Sequence, residues 1–161
     1  MSKIHKEKLH KLQAPQFWAF IIPIVILTVL YIVRDIYPFG ERAYMRMDFY
    51  HQYAPFAKEF VDRIRNGESL LYAWESGLGT NYWAHYAYYL ATPLHWLLLL
   101  LPKELVIEGM NATMVLRAGI AGFSMVTFLK EEHKENIMMA VFGIFYALSG
   151  YYLAYSCNIM W

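Results

Sequence analysis

An uncharged run, residues 17–33 (FWAFIIPIVILTVLYIV), constrains this chain more than any other feature. It follows a head with four lysines, MSKIHKEKLHKLQ, and it precedes the charged pair Arg34-Asp35. With the flanking residues 14–16 it is long enough to cross a bilayer as a helix, which takes about 20 predominantly apolar residues. No small-residue cleavage site follows, and Trp18 and Tyr31 lie near the two ends as interfacial aromatics do. The run predicts a transmembrane helix over 14–33 and keeps the basic head, residues 1–13, in the cytoplasm.

Composition extends this interpretation to the whole chain. Of its 161 residues 58% are hydrophobic and only 17% charged, where a soluble domain carries about a quarter. Residues 109–129 and 137–161 form two further apolar blocks, joined by the charged connector KEEHKEN, residues 130–136. The predicted fold class is therefore an all-α polytopic membrane protein with three to four transmembrane helices. A net charge of +1 gives no strong positive electrostatic field that would attract nucleic acid. Because the last block ends without a polar tail, we expect the chain to be the N-terminal portion of a longer protein.

The segment 87–101 leaves the number of crossings open. Its 15 uncharged residues contain Pro93 and His95, and this length suits an interfacial or re-entrant helix at least as well as a full crossing. If the segment stays on the outer face, the connector is cytoplasmic; if it crosses, the connector is outside. Lys130, Lys134 and His133 favour the first arrangement.

The loop from 34 to 86, predicted to be extracytoplasmic, is rich in aromatic residues. Apolar side chains recur in it at spacings of three and four, which predicts one helical face: Phe49, Tyr53, Phe56, Phe60 and Ile64. Pro55 suits an early helical position and Asn66-Gly67 a C-terminal stop. We interpret the segment as an amphipathic helix on the outer membrane surface, with a core helix of a soluble loop domain as the alternative.

Asp48 is the strongest candidate for chemistry, with His51 and Gln52 beside it. A carboxylate at the boundary of water and lipid can accept a proton from an attacking hydroxyl, or hold a divalent cation that neutralises a leaving phosphate. The alternative is a helix N-cap, where Asp is favoured because its carboxylate accepts from backbone N–H groups. Asp48 and His51 alone fall short of the usual number of metal ligands, so a metal requirement stays open.

Two further features are candidates for binding an anion. Arg117 lies eight residues into an apolar block, where it either faces protein, water or a bound anion, or snorkels to an interface. The turn GLGTN, residues 77–81, could present backbone N–H groups and Asn81 to a phosphate, although most such glycine pairs are plain turns.

The stretch DFYHQYAPF, then RNGESLLYAWESGLGTNYWAHYAYYLATPLHWLLLLLP and later ALSGYYLAYSCNIMW, resembles the bacterial YfhO family of multi-spanning membrane proteins. The resemblance implies a GT-C-type glycosyltransferase that transfers a sugar from a polyprenyl-phosphate carrier to an acceptor outside the cell, such as lipoteichoic acid or another wall polymer. It also implies that Asp48 is the essential acid of the first outer loop and that the isolated portion is inactive.

On this resemblance the predicted catalytic residue is Asp48, and the predicted substrate-binding residues are His51, Gln52, Tyr53, Asn81 and Arg117. The expected partners are membrane lipid, the polyprenyl-linked sugar and the wall-polymer acceptor. Two alternatives from other classes remain. One is a transporter or lipid flippase with Arg117 along its pathway, and the other is a non-catalytic assembly subunit whose aromatic loop binds a partner.

Overall fold

The computed structural model describes residues 14–42, 44 and 48–158, so the predicted basic head lies outside the described residues. The chain divides into two compact units. The three-helix unit comprises residues 1–40 and 114–154, and the loop unit comprises residues 41–113 and 155–161.

Helices account for nearly all of the regular structure. In chain order they are α1 (Pro15–Val33), α2 (Ala54–Asn66), α3 (Tyr82–His85), α4 (Val106–Glu132), α5 (Met138–Ala147) and α6 (Gly150–Tyr155). Two short strands, β1 (Tyr72–Ala73) and β2 (Thr80–Asn81), pair antiparallel between α2 and α3. Single π-helical turns cover Phe49–Tyr53 and Tyr86–Leu90, and 3-10 helices cover Pro93–Leu100 and Lys103–Leu105.

Three helical segments of the described chain are long and apolar enough to cross a membrane: Pro15–Val33, Lys103–Glu132 and Met138–Tyr155. The predicted all-α polytopic fold class is thereby confirmed. The second segment is longer than the predicted 109–129 at both ends, because it begins at Lys103 and its helix continues through Lys130 to Glu132, which shortens the connector. The third is interrupted at Leu148-Ser149, between α5 and α6.

Small residues set the packing of the three-helix unit. A side chain added at Gly122 of α4 would collide with the carbonyl oxygen of Ala19 in α1. One added at Gly143 of α5 would lie 2.8 Å from both the Gly122 carbonyl oxygen and the Ala19 Cβ. Helices that associate in lipid gain van der Waals contact by close backbone approach, which small residues permit. Ala19, Gly122 and Gly143 therefore mark the point where α1, α4 and α5 meet.

The contacts between α1 and α4 also fix their relative direction. Gly122 lies against Ala19, whereas Gly119 lies against Phe20 and Ile24, so residue numbers rise along one helix as they fall along the other. The two helices are antiparallel. The beginning of α1 and the end of α4 consequently lie at the same end of the unit, which is the arrangement required if residues 87–101 do not cross the membrane.

The structure gives residues 87–101 no continuous helix. The π-helical turn ends at Leu90, and the 3-10 helix runs from Pro93 to Leu100. Eight residues at a 3-10 rise of about 2 Å span roughly 16 Å, about half of the hydrocarbon core. His95 is fully buried, and its Nδ1 donates to the Leu90 carbonyl oxygen at 3.2 Å. This contact links the end of the π-helical turn to the 3-10 helix.

The amphipathic helix of the loop unit is present as α2, preceded by the π-helical turn. It buries Ala57, Phe60 and Val61, and it is followed directly by Gly67, whose φ of 66° is a left-handed conformation that glycine adopts without steric cost. The charged side of α2 differs from expectation, because Arg63 is only 4% exposed. The β1–β2 hairpin, which the sequence did not predict, covers that side.

Candidate functional site

Asp48 immediately precedes the π-helical turn and is exposed. Its backbone is already helical, with φ −63° and ψ −24°, whereas an N-cap residue normally has an extended backbone. Its side chain makes no capping hydrogen bond. The N-cap alternative is therefore not adopted, and the carboxylate is directed to solvent rather than to the backbone of its own helix.

The three residues predicted to bind substrate next to Asp48 differ in accessibility. His51 is exposed and packs edge-on against Tyr50, with ring centroids 5.2 Å apart. Gln52 is half-buried, and Tyr53 is 1% exposed. Burial raises the pKa of the Tyr53 hydroxyl, and the negative charge of Asp48 raises it further. Tyr53 is thus a protonated hydroxyl within the electrostatic reach of Asp48.

An aromatic array continues from Tyr53 across the loop unit. The Tyr53 ring centroid lies 5.9 Å from that of Tyr89, and Phe56 lies 4.9 Å from Tyr89 and 4.3 Å from His85. Tyr88 packs edge-on against Tyr89 at 4.8 Å and is 63% exposed. Tyrosine rings offer both an apolar face and a polar hydroxyl to a bound group. The array therefore begins at Tyr53, the residue whose hydroxyl pKa is raised by the charge of Asp48.

Arg63 joins α2 to the hairpin. Its guanidinium donates to Glu59 Oε1 at 2.9 Å, to the Ser69 carbonyl oxygen at 2.9 Å and to Glu75 Oε2 at 2.7 Å. It also lies 4.8 Å from the ring centroid of the buried Tyr82. Burial alone would lower the pKa of Arg63, but the hydrogen bond and charge of Glu59 outweigh it and the pKa is raised. Arg63 thereby fixes the hairpin against the helix that follows Asp48.

Two polar groups of the GLGTN turn make hydrogen bonds to nearby residues of the loop unit. The Gly79 N–H donates to the Ser76 carbonyl oxygen at 3.1 Å, so this amide serves the turn. Asn81 Oδ1 accepts from the Ala84 N–H at 3.2 Å and caps α3. These contacts give the turn and Asn81 structural roles, and the role of Asn81 in substrate binding stays a prediction.

Arg117 belongs to the three-helix unit, whereas Asp48 belongs to the loop unit. It is half-buried and interacts electrostatically with Tyr152, whose hydroxyl donates to the Met114 carbonyl oxygen. Within the described residues no three His, Cys, Asp or Glu side chains come together as a metal site, and this includes Asp48 and His51.

Sequence reasoning missed Arg63, His85 and Tyr89. The spacing of four between Glu59 and Arg63 signals an ion pair, but the burial of Arg63 depends on Glu75, twelve residues further on. His85 and Tyr89 are likewise four residues apart on a helical stretch, a spacing that brings two rings onto one face.

The fold defines a multi-pass, all-α membrane protein with a structured loop between its first two spans. The chain belongs to a known family of such proteins, since the family model described as "Bacterial membrane protein YfhO" matches residues 19–161. No curated protein and no solved structure matches the chain.

Proposed function

We propose that this chain forms the Asp48-bearing part of a GT-C-type glycosyltransferase. The enzyme transfers a sugar from a polyprenyl-phosphate carrier to an extracytoplasmic acceptor such as lipoteichoic acid or another wall polymer. The observation that carries the proposal is the state of Asp48, which is exposed and makes no capping bond next to an array of aromatic rings. A carboxylate in that state is available to a substrate.

The chemistry needs a base at the acceptor. Asp48 would take the proton from the acceptor hydroxyl as its oxygen attacks the anomeric carbon, while the bond from that carbon to the carrier phosphate breaks. The polyprenyl phosphate leaves with the bonding electron pair. A divalent cation, if one takes part, would neutralise the departing phosphate, with Asp48 and His51 as its candidate ligands.

The array next to Asp48 would bind the reactants. Tyr88 and His51 are exposed enough to stack on a sugar or prenyl group, whereas the buried Tyr53 would act through its hydroxyl or by supporting Tyr89. The roles of Gln52 and Asn81 in substrate binding belong to the same proposal.

The decisive experiment replaces Asp48 by Asn at the chromosomal gene, so that the whole native protein carries the change. Asn keeps the size of the side chain and removes the charge. Loss of general-base catalysis should lower wall-polymer glycosylation by about 10²–10⁴-fold. The measurement is glycosyl content of purified lipoteichoic acid and wall polymer, at membrane protein levels equalised by immunoblot.

Asp62→Asn is the matched control, because Asp62 makes a surface ion pair with Lys103 at 2.7 Å and its position on α2 is opposite to that of Phe56 and Phe60. Such pairs contribute little to stability, so this variant should glycosylate normally. Glycosylation by the Asp48→Asn protein within a few-fold of the control would remove Asp48 from the reaction.

Arg117 has a separate test within the same assay. If it holds a phosphate through a bidentate fork, Arg117→Lys loses one of two parallel hydrogen bonds and should lower transfer by about tenfold. A residue that only snorkels would be replaced by Lys without loss. Normal transfer by Arg117→Lys would therefore leave Arg117 outside the substrate site.

A further inference from the structure

A cavity of about 680 Å³ opens in the three-helix unit between the beginning of α1 and the second half of α4. Its size is within the range of small-molecule sites, about 300–1,000 Å³. Its wall is mostly apolar and includes three phenylalanines, Phe17, Phe20 and Phe123. Its polar groups are Gln16, Lys130 and Glu135.

These polar groups form a specific pattern of charge and hydrogen-bonding capacity. Lys130 Nζ and Glu135 Oε2 are 2.9 Å apart, so the cavity carries one positive and one negative group and no net charge. Gln16 Oε1 is buried and has no hydrogen-bond partner among the described residues. A buried acceptor without a donor costs free energy, and a ligand that supplies an N–H or O–H recovers it.

The position of the cavity identifies the ligand's source. Both walls are membrane-spanning helices, and the polar groups lie at the beginning of α1, at the end of α4 and in the connector. Helix ends of spans lie at the level of the lipid headgroups, and the apolar wall faces the acyl region. The headgroup of a membrane phospholipid is therefore at the level of the polar groups of the cavity, and its acyl chain is at the level of the apolar wall.

We propose that the cavity binds one phospholipid with a primary-amine headgroup, of the phosphatidylethanolamine type. An acyl chain lies along the phenylalanines, the phosphate contacts Lys130, and the ammonium donates to Glu135 and to Gln16 Oε1. The cavity belongs to the three-helix unit and Asp48 to the loop unit, and the inference does not depend on the proposed glycosyl transfer.

The headgroup assignment follows from the pattern of charges. A zwitterion matches a site with one cation and one anion. A choline headgroup has the same charges but no N–H to donate to Gln16 Oε1. A phosphatidylglycerol headgroup brings a phosphate for Lys130 and no cation for Glu135, so it leaves that carboxylate facing added negative charge.

Native mass spectrometry of the purified 161-residue chain in detergent tests the inference, with dioleoyl-phosphatidylethanolamine, -choline and -glycerol as probes. Phosphatidylethanolamine should form a one-lipid adduct at least about tenfold more tightly than the other two, the effect of one hydrogen bond to a charged group. Gln16→Met removes one of the two acceptors of the ammonium, while Glu135 remains, and should reduce the preference over choline. Gln16→Lys should reverse the preference toward phosphatidylglycerol.

The charged connector offers a matched pair of variants. The double change Lys130→Gln with Glu135→Gln removes both charges from the cavity and should reduce phosphatidylethanolamine binding by about tenfold or more. The double change Lys134→Gln with Glu132→Gln alters the same charges at exposed positions that do not line the cavity, and it should bind normally. Circular dichroism of each variant checks that the helices are retained.

Three outcomes would overturn the inference. One is equal binding of the three lipids by the wild-type chain, which indicates an unselective apolar groove. Another is equal loss in both double variants. The third is an adduct that forms only after residues 2–13 are deleted, which would assign the cavity to the protein's own basic head.

Discussion

Arg63 Nη2 and Glu75 Oε2 lie 2.7 Å apart and connect α2 to the β1–β2 hairpin. Glu75 is 71% exposed, so water screens this pair and its separate contribution to stability is small. Arg63, the buried partner of this pair, has a larger role than Glu75. Arg63 is 4% exposed and also donates hydrogen bonds to Glu59 and to two backbone carbonyl oxygens. Its loss would leave several acceptors without donors at once.

We therefore predict that Arg63→Lys loosens the hairpin. The ammonium of lysine cannot reproduce the planar set of N–H donors of the Arg63 guanidinium. The lost charge-assisted hydrogen bonds should cost about 2 kcal/mol, or roughly thirtyfold in the equilibrium constant for opening of the hairpin. The measurement is the rate of thiol labelling at Ala73→Cys, a fully buried hairpin position, in a Cys157→Ser background. Arg65→Lys, on the same helix but bonded to the Leu99 carbonyl, is the control. Equal rates in the two variants would contradict the role assigned to Arg63.

Tyr82 beneath Arg63 makes the loop unit sensitive to alkaline pH. Burial, and secondly the charge of Glu59, raise the pKa of Tyr82 above its ordinary value of 10.0, while Arg63 acts in the opposite direction. The folded state thus favours the protonated phenol. The resulting stabilisation is fully present below pH 10 and is lost as pH rises above it.

Tyr82→Phe should remove much of this alkaline sensitivity and be neutral or stabilising by about 1 kcal/mol at pH 7. The Tyr82 hydroxyl is buried with no hydrogen-bond partner in the described part of the chain, so Phe loses no bond there. The measurement is labelling of Ala73→Cys between pH 8 and 11, divided by labelling of an exposed Ser69→Cys at each pH. An unchanged alkaline rise in the Phe variant would show that other groups cause it.

The sequence predicted the parts of this fold that depend on local pattern. The apolar runs predicted the spans, and the spacing from Phe49 to Ile64 predicted α2. Both predictions were possible because a helix that is buried on one side carries apolar residues at regular intervals along the chain. The hairpin was missed, since two strands of two residues carry no periodic signal. The burial of Arg63 and the break between Leu90 and Pro93 were also missed, because each depends on contacts with residues distant in the chain or with backbone carbonyls.

The close approach at Gly122 leads to a third prediction. Gly122→Val should separate α1 from α4, since the new side chain meets the Ala19 carbonyl oxygen and backbone atoms cannot shift cheaply. Overpacking of this kind costs about 1–3 kcal/mol or more. The measurement is the thermal midpoint in detergent, and Ser124→Val, exposed two residues further along α4, is the matched control. A midpoint as high as that of the control would show that the helices do not pack as described.

The last prediction concerns orientation: the loop unit is extracytoplasmic and the connector after α4 is cytoplasmic. The four-lysine head favours a cytoplasmic beginning of α1, and the antiparallel packing of α1 and α4 brings the end of α4 to that same side. Leu78→Cys, at a fully exposed hairpin position, should therefore react with a membrane-impermeant maleimide on intact cells. Lys134→Cys should react only after permeabilisation.

Both variants are made in the Cys157→Ser background, which alone should give no labelling, and Ser69→Cys provides a second exposed position in the loop unit. Labelling of Leu78→Cys and Lys134→Cys from the same outer side would mean that residues 87–101 cross the membrane, against the short 3-10 helix that the structure gives them. Labelling of Leu78→Cys only after lysis would mean that the whole chain has the opposite orientation in the membrane. Asp48 would then face the cytoplasm, away from any extracytoplasmic acceptor, and the proposed sugar transfer would fail with it.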